Sequence, residues 1–391
     1  MTSSRPLRVL LVAHYYPPHV GGIENVAARQ ARALAARGAE VTVLTSALPA
    51  AVAPSPVAGV RVVRVPARNG IEDRTGVPFP MFGRGLHRAA HTWARWADVV
   101  HLHDTLYMSS WSAGWRAIRT RTPLFVTQHV ALVEHPSAVV RAVQHAVYGT
   151  IGRRLLRGSR AVFVVNDSVA AFAGRLRGRR DGVELHPNGV DTALFHPASS
   201  AGERRRLRER WGLSPDRVLV LFVGRPVPKK GYGLMLAARH HDYDLVFAGE
   251  RPKHTSDDPG VHHLGALGSD EVSELYRACD VFALPSTTEG FPLTVQEAMA
   301  AGLPIVTTDD PGYSSYGLDR AQVALIDRDP AVLRATLRAL AGDPARREAM
   351  SRYSAAFAEA QFSWQRHAHR LEEVYREALT ERGTTVTGTP A

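Results

Sequence analysis

Residues 7–45 constrain the fold more than any other stretch. Leu7–Ala13 is an apolar run of strand length, and Glu40–Thr45 is a second one. Between them Ile23–Arg37 repeats apolar residues at helical spacing and stops at Gly38. A strand, a helix and a strand in so short a span make a parallel pair with the helix as crossover. Strands of a parallel sheet are covered on both faces, so they read as unbroken apolar runs. The same reading applies to Val60–Val65, Asp98–Leu102, Pro123–Gln128, Ala161–Asn166 and Val183–Leu185. It resumes at Arg217–Val223, Asp244–Ala248, Val261–Leu264, Val281–Leu284 and Pro304–Thr307. At 391 residues there is length for two cores. The expected fold is α/β, with two Rossmann-like, doubly wound domains. The Asn188-Gly189 turn signal and a linker near Phe195–Gly202 set the domains at 1–198 and 199–362. No G-x-G-x-x-G follows the first strand, so a dinucleotide fingerprint is not supported.

Charge is unevenly placed. Residues 1–195 carry 24 Lys and Arg against 11 Asp and Glu, whereas 196–391 carry 24 against 26. A basic half suits an anionic partner, such as a membrane surface or an acidic acceptor. With no zinc-finger, RRM or KH signature, nucleic acid is not expected. The single cysteine, Cys279, excludes an internal disulfide, fits a reducing compartment and reads as a small buried hydrophobe. No apolar run reaches the ~20 residues of a membrane span, and LRVLLVA reads as a strand rather than a signal segment. The expected location is cytoplasmic, possible contact with the inner face of the plasma membrane included.

The chemistry concentrates in Leu284–Gly302, LPSTTEGFPLTVQEAMAAG. It reads as the end of a buried strand, a turn, and a helix with Pro292 in its first turn and Gly302 as its stop. Glu289 and Glu297 bracket the helix start. Between them the free N–H groups of Gly290, Phe291 and Leu293 form an anion site. Amides that hold phosphate, flanked by carboxylates that accept from hydroxyls, suit a ligand bearing both groups. Gly21-Gly22, ahead of the first helix, is a second loop that phosphate can approach closely.

This stretch resembles the E-x7-E region of retaining glycosyltransferases of the GT-B fold, family 4 (group 1). The resemblance covers nearly the whole chain. Thr127-Gln128-His129 resembles the family's T-x-H element, and Pro187-Asn188-Gly189-Val190-Asp191 the segment that closes its first domain. Gly224-Arg225 with Lys230-Gly231 matches its GR…KG loop, and Gly265-Ala266-Leu267 the backbone that meets the nucleotide base. Gly249-Glu250 stands where the family has G-[DE]-G-P, but Arg251 replaces the second glycine. The resemblance implies two domains facing across a cleft. It also implies a closing helix, 363–380, that packs back on the first domain, leaving 381–391 as a tail.

By the same resemblance the chain is a hexosyltransferase. It moves a sugar from a nucleotide-diphosphate donor to a lipid-linked, glycan or small-molecule hydroxyl, with retention and by front-face attack. No metal and no cofactor are expected. Arg225, Lys230, Glu289 and His129 are the implied catalytic residues. Arg225 and Lys230 stabilise the leaving diphosphate, Glu289 holds the sugar, and His129 touches the sugar from the other domain. Gly21, Gly22, Gly224, Gly265, Leu267, Gly290, Phe291, Pro292, Leu293 and Glu297 hold the donor, Glu297 through the ribose. His103 and Asp104, beyond the end of a strand, are expected to wall the acceptor pocket. Two alternatives stand beside this: a nucleotide-sugar epimerase or phosphorylase of the same fold, and a non-catalytic nucleotide-sugar-binding protein.

Three stretches lie outside that pattern. Val139, Val143, Val147, Ile151 and Leu155 recur every four residues, with Arg141, His145, Arg153 and Arg157 on another face. The stripe is no wider than packing requires, which favours a helix packed on the sheet over a membrane contact. Arg204–Arg210 reads as the solvated face of a helix. Asp309–Tyr316 lacks the family's glutamate and carries two tyrosines, Tyr313 and Tyr316.

Overall fold

The computed structural model describes residues 5–19, 21–47, 59–72, 79–132, 136–251, 258–287 and 291–386, and the side chains of 383–386 lie outside this description. The chain divides into two compact units, residues 1–189 with 364–391, and residues 190–363.

The first unit is built on an eight-stranded sheet. Its strands are β1 (Arg8–Val12), β2 (Glu40–Ala47), β3 (Val60–Arg68), β4 (Met81–Phe82), β5 (Val99–His103), β6 (Leu124–Gln128), β7 (Ala161–Val164) and β8 (Val183–Leu185). The spatial order is β4-β3-β2-β1-β5-β6-β7-β8. All pairs are parallel except β3 with the short edge strand β4. Its helices are α1 (Gly22–Ala36), α2 (Gly85–Trp96), α3 (Met108–Thr120), α4 (Ala138–Val147), α5 (Arg153–Gly158) and α6 (Asp167–Arg177). Alternate residues of each strand face opposite layers. Leu10, Val12, Val100 and Leu102 pack with Leu86, Ala90, Ala113, Leu155 and Val169 of α2, α3, α5 and α6. Val9, Leu11, Phe125 and Phe163 pack with Ala27, Ala31 and Leu34 of α1 and with Leu371 and Tyr375 near the C-terminus.

The second unit holds β9 (Leu219–Val223), β10 (Asp244–Ala248), β11 (Val261–Gly265), β12 (Val281–Leu284), β13 (Ile305–Thr308) and β14 (Ala324–Ile326). They form one parallel sheet in the order β11-β10-β9-β12-β13-β14. Its helices are α7 (Ala201–Arg210), α8 (Tyr232–Ala237), α9 (Ser269–Ala278), α10 (Leu293–Ala300), α11 (Pro330–Gly342) and α12 (Pro344–Phe362). The last helix, α13 (Trp364–Val386), belongs to the first unit. There Tyr375 shares a hydrogen bond with buried His101 (2.5 Å), whose other ring nitrogen meets Thr127 (2.7 Å). No helix among the described residues is long and apolar enough to cross a membrane.

Four details depart from the sequence reading. Residues 190–198 sit in the second unit: the Val190 amide donates to the Phe362 carbonyl (2.5 Å), and Phe195 packs edge-on against Tyr276. Arg208 is not on a solvated face. It is buried, donates to the Ala278 carbonyl and pairs with Asp280 at 2.7 Å. Pro292 caps α10 from just outside it, its carbonyl taking the Val295 and Gln296 amides.

The fourth concerns the helix near residue 140. A π-helical turn, Tyr148–Gly152, separates α4 from α5. One extra residue per turn rotates the stripe. Leu155 and Leu156 are therefore buried, while Val139, Val143 and Ile151 are 71%, 52% and 39% exposed. Three of the five residues of the row expected to pack on the sheet therefore face out, while Val147 and Leu155 do not.

Candidate functional site

In the second unit the candidate residues gather at the carboxyl ends of β9, β10, β11 and β12. The loop after β9 runs Gly224, Arg225, a short 3-10 turn Pro228–Lys230, and Gly231. Gly231 has φ +80°, and a Cβ there would lie 2.2 Å from the Pro285 carbonyl oxygen. Only glycine lets this loop lie against the end of β12. The two loops are also tied directly. Thr287 donates its amide to the Lys229 carbonyl (2.9 Å), and Arg328 donates to the carbonyls of Pro228 and Pro285. Arg225 is exposed and has no side-chain partner among the described residues, whereas Lys230 is half-buried.

Glu297 lies one turn into α10. Its Oε2 accepts from the Tyr276 hydroxyl (3.2 Å), which also lies 3.1 Å from the Thr294 carbonyl. Burial, and then the Glu297 charge, pushes the Tyr276 pKa well up, so Tyr276 stays a donor. The Leu293 and Thr294 amides precede the first hydrogen bonds of α10, which run from Val295 and Gln296 to Pro292, and amides so placed suit an anion. Phe291 is buried against Tyr313, Tyr316 and Phe362, with ring centroids 5.1, 4.4 and 4.9 Å away. The two unexpected tyrosines thus brace the start of α10. Gly265 ends β11 and takes the Gly249 amide on its carbonyl (2.8 Å). It lines a shallow recess with Tyr232, Phe247, Arg251 and His263. Leu267 packs on this unit's core. Glu289 and Gly290 fall outside the described residues.

In the first unit His103 ends β5 and His129 follows β6. His103 Nδ1 and His129 Nε2 share one proton across 3.0 Å, their rings stacked at 5.3 Å. Desolvation pushes His129 down to about 4 and His103 well below its usual value, so both are neutral at pH 7. Asp104 has φ +69°, a left-handed backbone rare outside glycine. Its Oδ1 accepts from the Leu106 amide and the Tyr148 hydroxyl, both at 3.1 Å. Burial raises its pKa against those bonds. Gly21 precedes α1, but Glu24 already occupies this helix start. A Cβ on Gly21 would lie 2.2 Å from Glu24 Oε2, while one on Gly22 would meet nothing within 4 Å among the described residues.

The family profile for Glycosyl transferase 4-like domains matches residues 21–189, and that for Glycosyl transferases group 1 matches 203–357. A D-inositol 3-phosphate glycosyltransferase of Xylanimonas cellulosilytica is 32% identical, over 98% of this chain and 99% of its own. The chain belongs to the group 1 glycosyltransferases. Among solved structures, this glycosyltransferase is similar to sucrose-phosphate synthase from Thermosynechococcus elongatus, with TM-score 0.70, 20% identity and coverage of 96% and 100%. It is similar also to Anabaena HepE in complex with UDP-glucose, with TM-score 0.70, 16% identity and coverage of 95% and 100%. The fold is GT-B.

Several residues of the glycosyltransferase's candidate site carried no signal in the sequence. Tyr276 sits in an ordinary helical run, and Arg328 lies roughly a hundred residues from the loop it holds. Among the described residues, the grouping spaced to hold a metal is His240, His241 and Asp242, at the amino end of β10. That is the opposite end of the sheet from Arg225 and Lys230, and Asp242 is already paired with Arg338 at 2.9 Å.

Proposed function

We propose that this glycosyltransferase moves a sugar, with retention and without a metal, from a nucleotide-diphosphate donor to a hydroxyl acceptor. The observation that carries the proposal is the pair of interlocked loops in the second unit. They set a cationic loop, Arg225 and Lys230, beside the start of a helix whose Glu297 is held by Tyr276. Positive charge stabilises the departing diphosphate, and a fixed carboxylate accepts from ribose hydroxyls. In the front-face step the anomeric carbon's bond to the phosphate oxygen breaks as its bond to the acceptor oxygen forms. The acceptor's proton passes to the leaving phosphate. Glu289 holds the sugar hydroxyls, Gly265 and Leu267 meet the base, and His129 contacts the sugar. UDP-glucose, present in the HepE complex, is the first donor to try. Lys230→Ala and Glu297→Ala should each lose at least ~100-fold in transfer while melting like the wild type. Full activity in both variants refutes the assignment.

We place the enzyme at the cytoplasmic face of an anionic membrane. Residues 105–166 contain eight arginines and one carboxylate, Glu134. The outward row of Val139, Val143 and Ile151 lies in this basic stretch. An apolar row framed by arginine suits a peripheral lipid contact.

A further inference from the structure

We infer that the first unit binds an uncharged or amine-bearing polyol as acceptor and excludes a phosphorylated one. The inference rests on the transferase reading above and deepens it. Although residues 1–195 are strongly basic, three of their eleven carboxylates gather around one buried tyrosine, Tyr107. Burial first, and then the charges of Asp104, Glu24 and Glu72, push the Tyr107 pKa well up. His14 stacks on the Tyr107 ring at 3.6 Å. Glu24 is buried, with Oε1 3.0 Å from His19 Nδ1 and 3.8 Å from His14 Nε2. Glu72 lies 3.7 Å from the other nitrogen of His19 and accepts from the Tyr15 hydroxyl.

Two further observations point to a ligand and to its polarity. Asp104 Oδ2 and His103 Nε2 are buried at the carboxyl end of β5, the end of the sheet where ligands collect, and neither has a hydrogen-bond partner among the described residues. An unpartnered carboxylate oxygen in such a place is costly unless a hydroxyl or ammonium donates to it. In its ionised form it cannot accept anything from a phosphate dianion. The start of α1 is also closed to a second anion. Glu24's carboxylate lies over Gly21, where the helix would otherwise attract phosphate. The Arg64 guanidinium beside this loop donates to the carbonyls of Pro17 and Ser46. The curated relative named above acts, by its name, on an inositol phosphate. The polarity around Tyr107 is wrong for such a ligand.

The test uses the purified full chain with UDP-glucose, UDP-N-acetylglucosamine, ADP-glucose and GDP-mannose. The acceptor probes are D-inositol 3-phosphate, free myo-inositol, methyl α-glucoside and glucosamine, with products read by mass spectrometry. Uncharged or amino probes should exceed the phosphorylated one by at least ~100-fold in kcat/KM, the scale of a like-charge clash. Glu24→Gln and Asp104→Asn should each narrow that ratio at least ~10-fold, by moving KM for the phosphorylated probe. Preference for inositol 3-phosphate overturns the inference. So does turnover of none of the uncharged and amino probes while a donor is still bound and hydrolysed. Failure to bind or hydrolyse any donor overturns the transferase reading itself.

Discussion

Gly231→Ala tests the interlocked loops directly. The residue has φ +80°, and its new Cβ would lie 2.2 Å from the Pro285 carbonyl oxygen and 2.7 Å from that proline's Cγ. The left-handed backbone alone costs about 1–2 kcal/mol for a residue with a Cβ. Relieving the clash requires the loops to separate. The Thr287 amide then loses the Lys229 carbonyl, and Arg328 loses one of its two acceptors. Each lost bond costs about 1 kcal/mol. The expected destabilisation is about 3–4 kcal/mol, which for a unit of this size lowers Tm by roughly 10 °C. Lys230 moves with the loop, so kcat/KM should fall about 100-fold. Gly233→Ala is the control. It makes the same chemical change two residues on, where a Cβ meets nothing among the described residues within 4 Å. It should be neutral, or stabilising by up to about 1 kcal/mol. Urea denaturation and donor kinetics on both variants decide the matter. If the two unfold within about 1 kcal/mol of each other and retain equal activity, the loops are not locked as described.

Three other outcomes follow from the geometry. Tyr276→Phe removes the donor to Glu297 and should raise the donor KM roughly 10-fold, with kcat changed less, as initial-rate kinetics would show. His129 and His103 have folded pKa values below the unfolded value of about 6.5, so the unfolded chain binds protons that the folded one does not. Stability is fully present above about 6.5 and is lost as pH falls towards 4. His129→Asn should flatten that part of a Tm-versus-pH curve. Val139→Glu with Val143→Glu should abolish co-flotation with vesicles rich in phosphatidylglycerol while leaving Tm within about 2 °C, because both side chains are exposed.

The sheet order of strands and helices was legible because parallel strands announce themselves as apolar runs. Val99–His103 falls one residue from its expected place, and α10 lies where its four-residue spacing put it. What failed to show in the sequence depends on contacts between distant segments. A π-turn inserts one residue without any marker, so the Val139 row looked like core. Arg208 looked solvated because its partner, Asp280, is 72 positions away. Glu24, Glu72 and Asp104 come from three different connections between strands. Nothing local says that they meet at Tyr107. The tyrosines at 313 and 316 were visible as a departure from the family, but their packing on Phe291 depends on where β13 ends.

The placement of α13 has a consequence for how the protein is made. Leu371, Tyr375 and Ala378 complete one layer of the first unit's core, yet the ribosome delivers them after the whole second unit. At about 5–20 residues per second, the intervening ~170 residues take on the order of 10–35 s. For that interval Phe125 and Phe163 lie under an incomplete layer. A chain truncated before Trp364 should therefore hold a complete second unit and a first unit that recruits chaperones, and addition of the final helix is the step that ends that exposure.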